Sequence, residues 1–414
     1  MSFQVFLKER LGPFRHRDFR IFYAAQVTSM VGSWMQDLAK TWIILNLIGK
    51  SSAIGTLMVA SAIPHLLLGT YGGVLADRRP IRPILLGTQV VLGTLAFALG
   101  LIVSTGSVEF WHLILFALLE GTLLAFDMPA FNKLTPALVP PEDFRQAMAL
   151  NSVAFHLARV LGPSLAGVAM GLWGTTSVFW INAISFLGVV IVVARLRSVR
   201  LEGVARLPPS PDTQGMRVAW NYLWRHKLLW RVMVQFFLVL GLVFPLIFTT
   251  FRVFLQNKFQ LSAQDFGFVF AVPGVGSLLG SLAFLLFAPA DPLKVLPVGV
   301  IGVSLFLVGI AEAQTLALTL MFLGCFSFCM FLCLSSLTLT IHLRIENQMR
   351  GRVSAIIGMC FVSLSPLMAG PVGVLSDLIG ERNLMIGLAG VFFVTSAFLA
   401  WSDRRPRENL RSPS

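Results

Sequence analysis

Five Asp, Glu, Lys or Arg side chains lie well away from the ends of long apolar runs: Asp37, Lys40, Glu120, Asp127 and Arg159. At mid-bilayer such a group costs about 2.5–3.5 kcal/mol on insertion scales, which makes each one a functional hypothesis. Asp37 and Lys40 are three residues apart and share a helix face. A rise of about 1.5 Å per residue sets Asp37 a short way past the midpoint of its run. Glu120 and Arg159 fall near the midpoints of theirs, and Asp127 nearer one end. The chemistry open to such a set is proton binding and release. Desolvation favours a neutral carboxyl, and a nearby cation favours the charged form. A change in hydration or in the distance to the cation alters both influences. Glu120 or Asp37 is therefore expected to take up and release a proton, with Lys40 and Arg159 as the tuning cations. The plainer expectation is structural: a static Asp37–Lys40 pair, and an Arg159 that ties its helix to the one carrying Glu120.

The elements that hold these groups must be membrane helices. The chain has 414 residues, of which 56% are hydrophobic and 12% charged, where soluble domains carry about 25% charged residues. A run of about 20 apolar residues spans a bilayer as a helix. Such runs are read near Phe19–Ile48, Ala53–Gly72, Ile84–Ser104, Trp111–Leu134, Ala147–Leu172 and Thr176–Leu196. Six more follow near Val232–Phe254, Phe266–Phe287, Val295–Ala313, Leu316–Ile341, Val353–Leu375 and Leu384–Trp401. The expected fold is an all-α integral membrane protein of about twelve transmembrane helices in two six-helix halves. The amino-terminal half is 1–196, a basic cytoplasmic linker is 197–231, and the carboxyl-terminal half with a basic tail is 232–414.

Charge position fixes the expected orientation. The net charge is +13, but the basic residues sit at the ends of apolar runs and on alternate loops, so nucleic acid is not the partner. With both termini cytoplasmic, about 26 of the 32 Lys and Arg residues fall on the cytoplasmic side, the positive-inside pattern. Lys50, Arg252, Lys258 and Arg382 are assigned to the opposite side, and the second half offers no ionisable residue as deep as those of the first. A bacterial inner-membrane protein, multi-pass and without a signal peptide, is expected. The linker alternates Trp and basic residues, and a surface helix over Met216–Trp224 suits contact with membrane lipid. Cys325, Cys329 and Cys333 lie on one helix face and read as small apolar side chains rather than a metal site. No cofactor is expected.

Several motifs share a known pattern. Gly73, Asp77, Arg78 and Arg82 occupy a charged hairpin between the second and third runs. Gly162, Pro163 and Gly167 punctuate the fifth. Arg17-Asp18-Phe19-Arg20 leads into Ser29-Met30-Val31-Gly32-Ser33-Trp34-Met35-Gln36. Asp127-Met128-Pro129-Ala130, Ala149-Leu150-Asn151-Ser152, Ala158-Arg159-Val160-Leu161-Gly162-Pro163 and Arg350-Gly351-Arg352-Val353 follow. Together they resemble the exporter branch of the major facilitator superfamily, which includes the enterobactin exporter and macrolide efflux pumps. The resemblance covers essentially the whole chain. It implies that Gly73 lets the second helix pack closely and that Asp77 faces a helix start in the other half, forming a conformational latch. It places Asp37, Lys40 and Glu120 on a central cavity wall, and it associates the Gly-Pro motif with antiport. The usual second Gly of the hairpin is Pro80 here, and the next basic residue is Ile81. The upstream Gly of the Gly-Pro motif is Val153. Where proton antiporters of the family often carry Arg before a Gln-Gly pair, this chain has Ala117 before Glu120-Gly121, so Glu120 is expected to carry the proton itself. Gly373-Val374-Leu375-Ser376-Asp377 echoes Gly73–Asp77, outside the repeat-equivalent place.

The expected function is secondary active export of amphipathic small molecules of drug, macrolide or siderophore type, driven by protons as coupling ion, in a monomer. Phe236, Phe237, Phe244, Phe248, Phe326 and Phe331, with Ser335, Ser336 and Thr338, suit a greasy or aromatic substrate. The alternatives are uptake symport, lipid transport, or a sensor that no longer transports. No nucleophile–base–orienter set and no Gly-rich nucleotide loop is found, so no catalytic residues are assigned and no enzyme is expected.

Overall fold

The computed structural model describes residues 12–196, 213–287 and 291–401. Residues 1–11, the 197–212 part of the linker, 288–290 and the tail from 402 lie outside the described residues. Six long helices come first: α1 (Arg17–Leu47), α2 (Ser51–Arg78), α3 (Ile81–Ser104), α4 (Phe110–Ala137), α5 (Phe144–Trp173) and α6 (Thr175–Arg195). The short α7 (Thr213–Arg225) follows. Then come α8 (Lys227–Phe259), α9 (Ala263–Leu286), α10 (Leu296–Glu312), α11 (Leu316–Arg344), α12 (Gln348–Ile379) and α13 (Glu381–Trp401). Among the described residues, eleven helical segments are long and apolar enough to cross a membrane. The twelfth long helix is α1, whose hydropathy is diluted by Gln26, Ser29, Ser33, Gln36, Asp37 and Lys40. Large apolar side chains point outward, as Leu67 (74% exposed), Ile184 (69%) and Leu286 (70%) do. Lipid is the solvent that suits such a surface, and a helix meets the needs of its own backbone in hydrocarbon.

The spans alternate between two ends of the bundle. One is basic, with Arg78, Arg79, Arg82, Lys133 and Arg145. At the far end the turns are tight. A single residue, Gly174 (φ 77°), separates α5 from α6, and Gly380 (φ 85°) separates α12 from α13. Only glycine enters this left-handed region without steric cost.

Helix boundaries correct one sequence expectation. Gly73 to Arg78 complete the last turns of α2 rather than forming a hairpin, and only Arg79 and Pro80 separate α2 from α3. Pro80 has no N–H and a fixed φ, which suits the stop.

The two six-helix halves meet at the far end, through α2 against α12 and α5 against α9. A Cβ added to Gly55 would strike the Ala369 carbonyl, and one added to Gly167 would strike Gly267 and Gln264. A Cβ at Gly373 would lie 2.5 Å from the Ser51 carbonyl oxygen. The echo motif joins here too. The Asp377 carboxylate accepts from Ser51 N–H (2.9 Å) and Ser52 N–H (3.0 Å). Asp377 thus caps the exposed amides that begin α2, where a negative charge is favoured by about 0.3–1 kcal/mol. Gly373→Val is expected to prise this contact open. In a Ser52→Cys background, labelling by a membrane-impermeant maleimide should then rise several-fold; an unchanged rate would remove Gly373 from the closure.

Candidate functional site in the central cavity

A cavity of about 630 Å³ runs from the middle of the bundle toward the basic end. Its polar lining comes mostly from the first half: Gln26, Ser29 and Asp37 on α1, Glu120 and Asn132 on α4, and Asn151 and His156 on α5. The second half supplies Phe331 from α11 and Phe361 from α12. Sequence reading missed Phe361, because phenylalanines were sought on the seventh and tenth runs only. Phe236 and Phe326, two of the residues considered for this wall, are fully buried in the core. Ser336 is likewise buried and donates to the Pro292 carbonyl (2.5 Å).

Asp37, Lys40 and Glu120 converge. Lys40, 3% exposed, donates to the Glu120 carboxylate across α1 and α4, and its Nζ lies 3.9 Å from Asp37. The main partner of Lys40 is therefore on a neighbouring helix. Asp37 presents 61% of its side chain to the cavity. Glu120 also accepts from Gln36 Nε2 (2.8 Å), Gln36 accepts from Asn182 Nδ2 (2.8 Å), and Asn182 accepts from Ser185 Oγ (3.0 Å). A polar chain thus runs from α6 through α1 to α4. Gly32 makes it possible, because a Cβ there would strike Asn182. Gln36 and Asn182 escaped the sequence reading because only ionisable side chains were sought. An uncharged amide in an apolar run was the signal to use. Asp127 stands apart: it is 5% exposed and accepts from Thr88 Oγ1 (2.5 Å) and Gln89 Nε2 (3.0 Å) on α3. Its needs are met locally, which suits a structural role.

Arg159 does not join this network. It is 4% exposed, and it has no hydrogen-bond acceptor or ion pair among the described residues. Its Nη2 is buried without a partner. Its Cζ lies 5.0 Å from the Phe331 ring centroid and 5.5 Å from that of Phe244. The expected tie to α4 is absent, because the side chain extends instead toward α11 and α8 of the second half. Two desolvated cation–π contacts of about 2 kcal/mol each offset an insertion cost of about 2.5–3.5 kcal/mol. They leave the buried Nη2 without an acceptor.

Arg252 corrects a further expectation. Assigned by sequence to the outer surface, it is only 7% exposed. It lies well inside α8, which continues to Phe259 beyond the apolar run. Its Nη1 donates to Thr41 of α1, and its Cζ stands over Phe248 (5.4 Å) and Phe270 (5.6 Å). The second half therefore does hold a deep cation. The signal was hidden because polar Gln256, Asn257 and Lys258 make the run look finished at Phe254.

The basic-end motif divides. Gly73 has open space where a Cβ would stand, whereas one at Gly72 would strike the Ala125 carbonyl. Close packing of α2 on α4 therefore belongs to Gly72. Asp77 accepts from Lys133, which also donates to the Ala76 carbonyl (3.0 Å), and Arg82 donates to the Ala194 carbonyl. Asp77, Arg78 and Arg82 have no hydrogen bond or ion pair to the second half among the described residues. In α5, Gly162 packs on Trp34 and Val31 of α1, and Gly167 faces the second half. Cys329 and Cys333 pack against Gly302 and Gly299 of α10.

Breaking the buried Lys40–Glu120 pair leaves one charge without its partner, at a cost of about 3–5 kcal/mol. Glu120→Gln should lower the melting temperature of the detergent-solubilised protein. Adding Lys40→Met should restore most of the loss. A single variant that melts with the parent would contradict the pair.

Comparison with known proteins agrees with this architecture. The family model described as "Transmembrane secretion effector" matches residues 8–365. The Staphyloferrin A transporter of Staphylococcus aureus is 22% identical over 64% of this chain and 66% of its own length. The enterobactin exporter of Shigella boydii is 25% identical over 64% of this chain and 63% of its own. Macrolide efflux protein A of Streptococcus pyogenes is 22% identical over 48% of each. The chain thus spans less than two thirds of the length of each of these relatives. Among solved structures, a bacterial homologue of the human lysosomal transporter Spinster, inward-facing and unoccupied, superposes with TM-score 0.76 at 15% identity, covering 95% of this chain and 97% of that one. A bacterial homologue of the iron transporter ferroportin, also inward-facing, gives 0.70 at 18% identity, covering 94% and 99%. The fold, the multi-pass helices and the family match lead to one assignment: this chain belongs to the transmembrane secretion effector family of the major facilitator superfamily.

Proposed function

We propose that this protein is a secondary active exporter of amphipathic small molecules, driven by proton antiport across a bacterial inner membrane. The observation that carries the reading is the Lys40–Glu120 pair on the wall of the 630 Å³ cavity, with Asp37 exposed beside it. A carboxylate held by a cation inside the membrane gains a proton when that cation is drawn away or when water is excluded. Movement of the halves changes the second condition, because it admits water to the cavity wall that carries Asp37 and Glu120 or excludes it. In the state described here the halves meet at the far end, and the cavity extends toward the basic end. The positive-inside pattern supports a cytoplasmic basic end and, with it, cytoplasmic termini. The inward-facing conformation of the two structural neighbours is consistent with this assignment. Substrate entering from the cytoplasm would bind while Lys40 holds Glu120 without a proton, and Glu120 or Asp37 would take up a proton from the far side once substrate has left. Rocking of 1–196 against 232–414, with 197–231 as the cytoplasmic linker, would open the far end between those two steps. The unit is a monomer, no cofactor takes part, and no catalytic chemistry is involved.

The siderophore and macrolide relatives support a drug-like or siderophore-like substrate. The aromatic second-half wall supports an apolar body on it. Asp77, paired with Lys133 in this state, would be released to meet the other half when the basic end closes, with Arg78 and Arg82 flanking it.

In acid-loaded inverted vesicles containing the protein, a substrate should collapse the proton gradient, followed with a pH-sensitive dye. Glu120→Gln should abolish that response and flatten the pH dependence of transport, because it removes a proton acceptor from the cavity. An unaltered pH profile would return Glu120 to a structural role. Asp77→Asn should slow turnover and leave substrate affinity largely intact; unchanged turnover would remove the latch.

A further inference from the structure

Among the described residues three Lys or Arg side chains are buried, and only one of them lacks an acceptor. Lys40 has Glu120, and Arg252 has Thr41. Arg159 has two aromatic faces and no hydrogen-bond acceptor among the described residues, with Nη2 wholly buried. A buried guanidinium carries five donors in a fixed fork and seeks a planar anion. It lies three residues beyond His156 on α5, and His156 and Phe331 both line the cavity. The Arg159 guanidinium stacks on the Phe331 ring, which itself lines the cavity.

We infer that Arg159 is an anion-recognition residue of this cavity, and that the compounds it takes carry a carboxylate or comparable planar anion on an aromatic or apolar body. The inference rests on the transport reading and narrows its substrate class. The carboxylates of the cavity are arranged to favour this polarity. Glu120 is neutralised by Lys40, and Asp127 is held by Thr88 and Gln89. Asp37 is on α1, so negative charge is carried by the α1 and α4 walls and unpaired positive charge by the α5 wall. A bound molecule that places its anion at Arg159 can lay its apolar body along Phe331, Phe155 and Phe361. The rings already stacked on the guanidinium exclude water from it, which strengthens each hydrogen bond made there. A neutral analogue of the same shape would leave the donors unmet, so the site should discriminate by charge more than by size.

The test uses the purified full-length protein in lipid nanodiscs and three probes of one shape: 2-naphthoate, 2-naphthamide and 2-naphthylmethylamine. Calorimetry should show naphthoate binding about ten-fold or more tightly than naphthamide, a difference well within reach of one charge-assisted contact. Arg159→Gln should weaken naphthoate to the level of naphthamide and leave naphthamide unchanged. Arg159→Lys should keep part of the preference, because the charge remains while the fork is lost. Equal affinity for naphthoate and naphthamide in the parent protein would overturn the inference. So would a preference for the amine, no naphthoate binding by folded protein, or a preference that survives in Arg159→Gln. The parent comparison decides even if Arg159→Gln fails to fold. The proton assay separates the two readings. A gradient collapsed by neutral or cationic drugs, without naphthoate preference, sinks the anion subsite alone. A naphthoate preference without proton movement sinks antiport alone.

Discussion

Backbone touching backbone at the far end is the constraint on which the rest depends. Two helices approach this closely only where at least one lacks a side chain at the crossing, as in small-residue packing within membranes. Gly55 meets Ala369, Gly167 meets Gly267, and Gly373 meets Ser51. Hydrocarbon offers no hydrophobic drive for helices to associate, so close van der Waals contact and the Asp377 cap supply it instead. Because these contacts are confined to one end, the halves separate toward the other. The cavity is the geometric consequence, and its depth is set by where the glycines stop.

The charges follow from that shape. A deep ionisable group needs a partner, water, or an aromatic face. Lys40 uses a carboxylate, Asp37 uses the cavity, and Arg159 and Arg252 use rings. The polar chain from Ser185 to Glu120 lies wholly within the first half, so relative motion of the halves can leave it intact. The two arginines reach across: Arg159 stacks on rings of the second half and Arg252 donates to Thr41 of the first. Any separation of the halves at this level must first strip both arginines of those contacts. The Lys40–Glu120 pair and the arginine–aromatic layer therefore respond to different motions.

Much of this was legible in the sequence, and the exceptions have physical causes. Apolar runs locate bilayer crossings because hydrocarbon thickness fixes their length, and the observed helices differ from those runs mainly at their ends. Polar residues at membrane surfaces end a hydropathy run without ending a helix, which is why Asp77 and Arg78 sit in the last turn of α2 and why Arg252 was taken for a surface residue. Motif position names a segment but not a rotation. Gly73 was the motif residue, yet Gly72 faces α4, and a helix turns about 100° between adjacent residues. Partnership between helices was the least legible feature. Lys40 has Asp37 three residues away and Glu120 on another helix, and no local rule shows that the distant carboxylate is the closer one.

The second half shapes its side of the cavity by a different means. α8 passes through a π turn at Val239–Val243 and a 3₁₀ turn at Phe244–Ile247, and α12 carries a π turn at Cys360–Leu364. Pro245 lies within the first break and removes one backbone donor there. The two irregular stretches touch each other, and they present Phe244, Phe248 and Phe361 to the region of Arg159, Trp34 and the cavity. Such turns weaken the regular hydrogen-bond ladder and occur often at functional sites. A rotation of one ring therefore costs less here than in a regular helix. The wall with fixed polar geometry faces a wall whose aromatic side chains rest on deformable backbone. That division allows apolar bodies of different outline to fit against the second half while the charged groups of the first keep their positions.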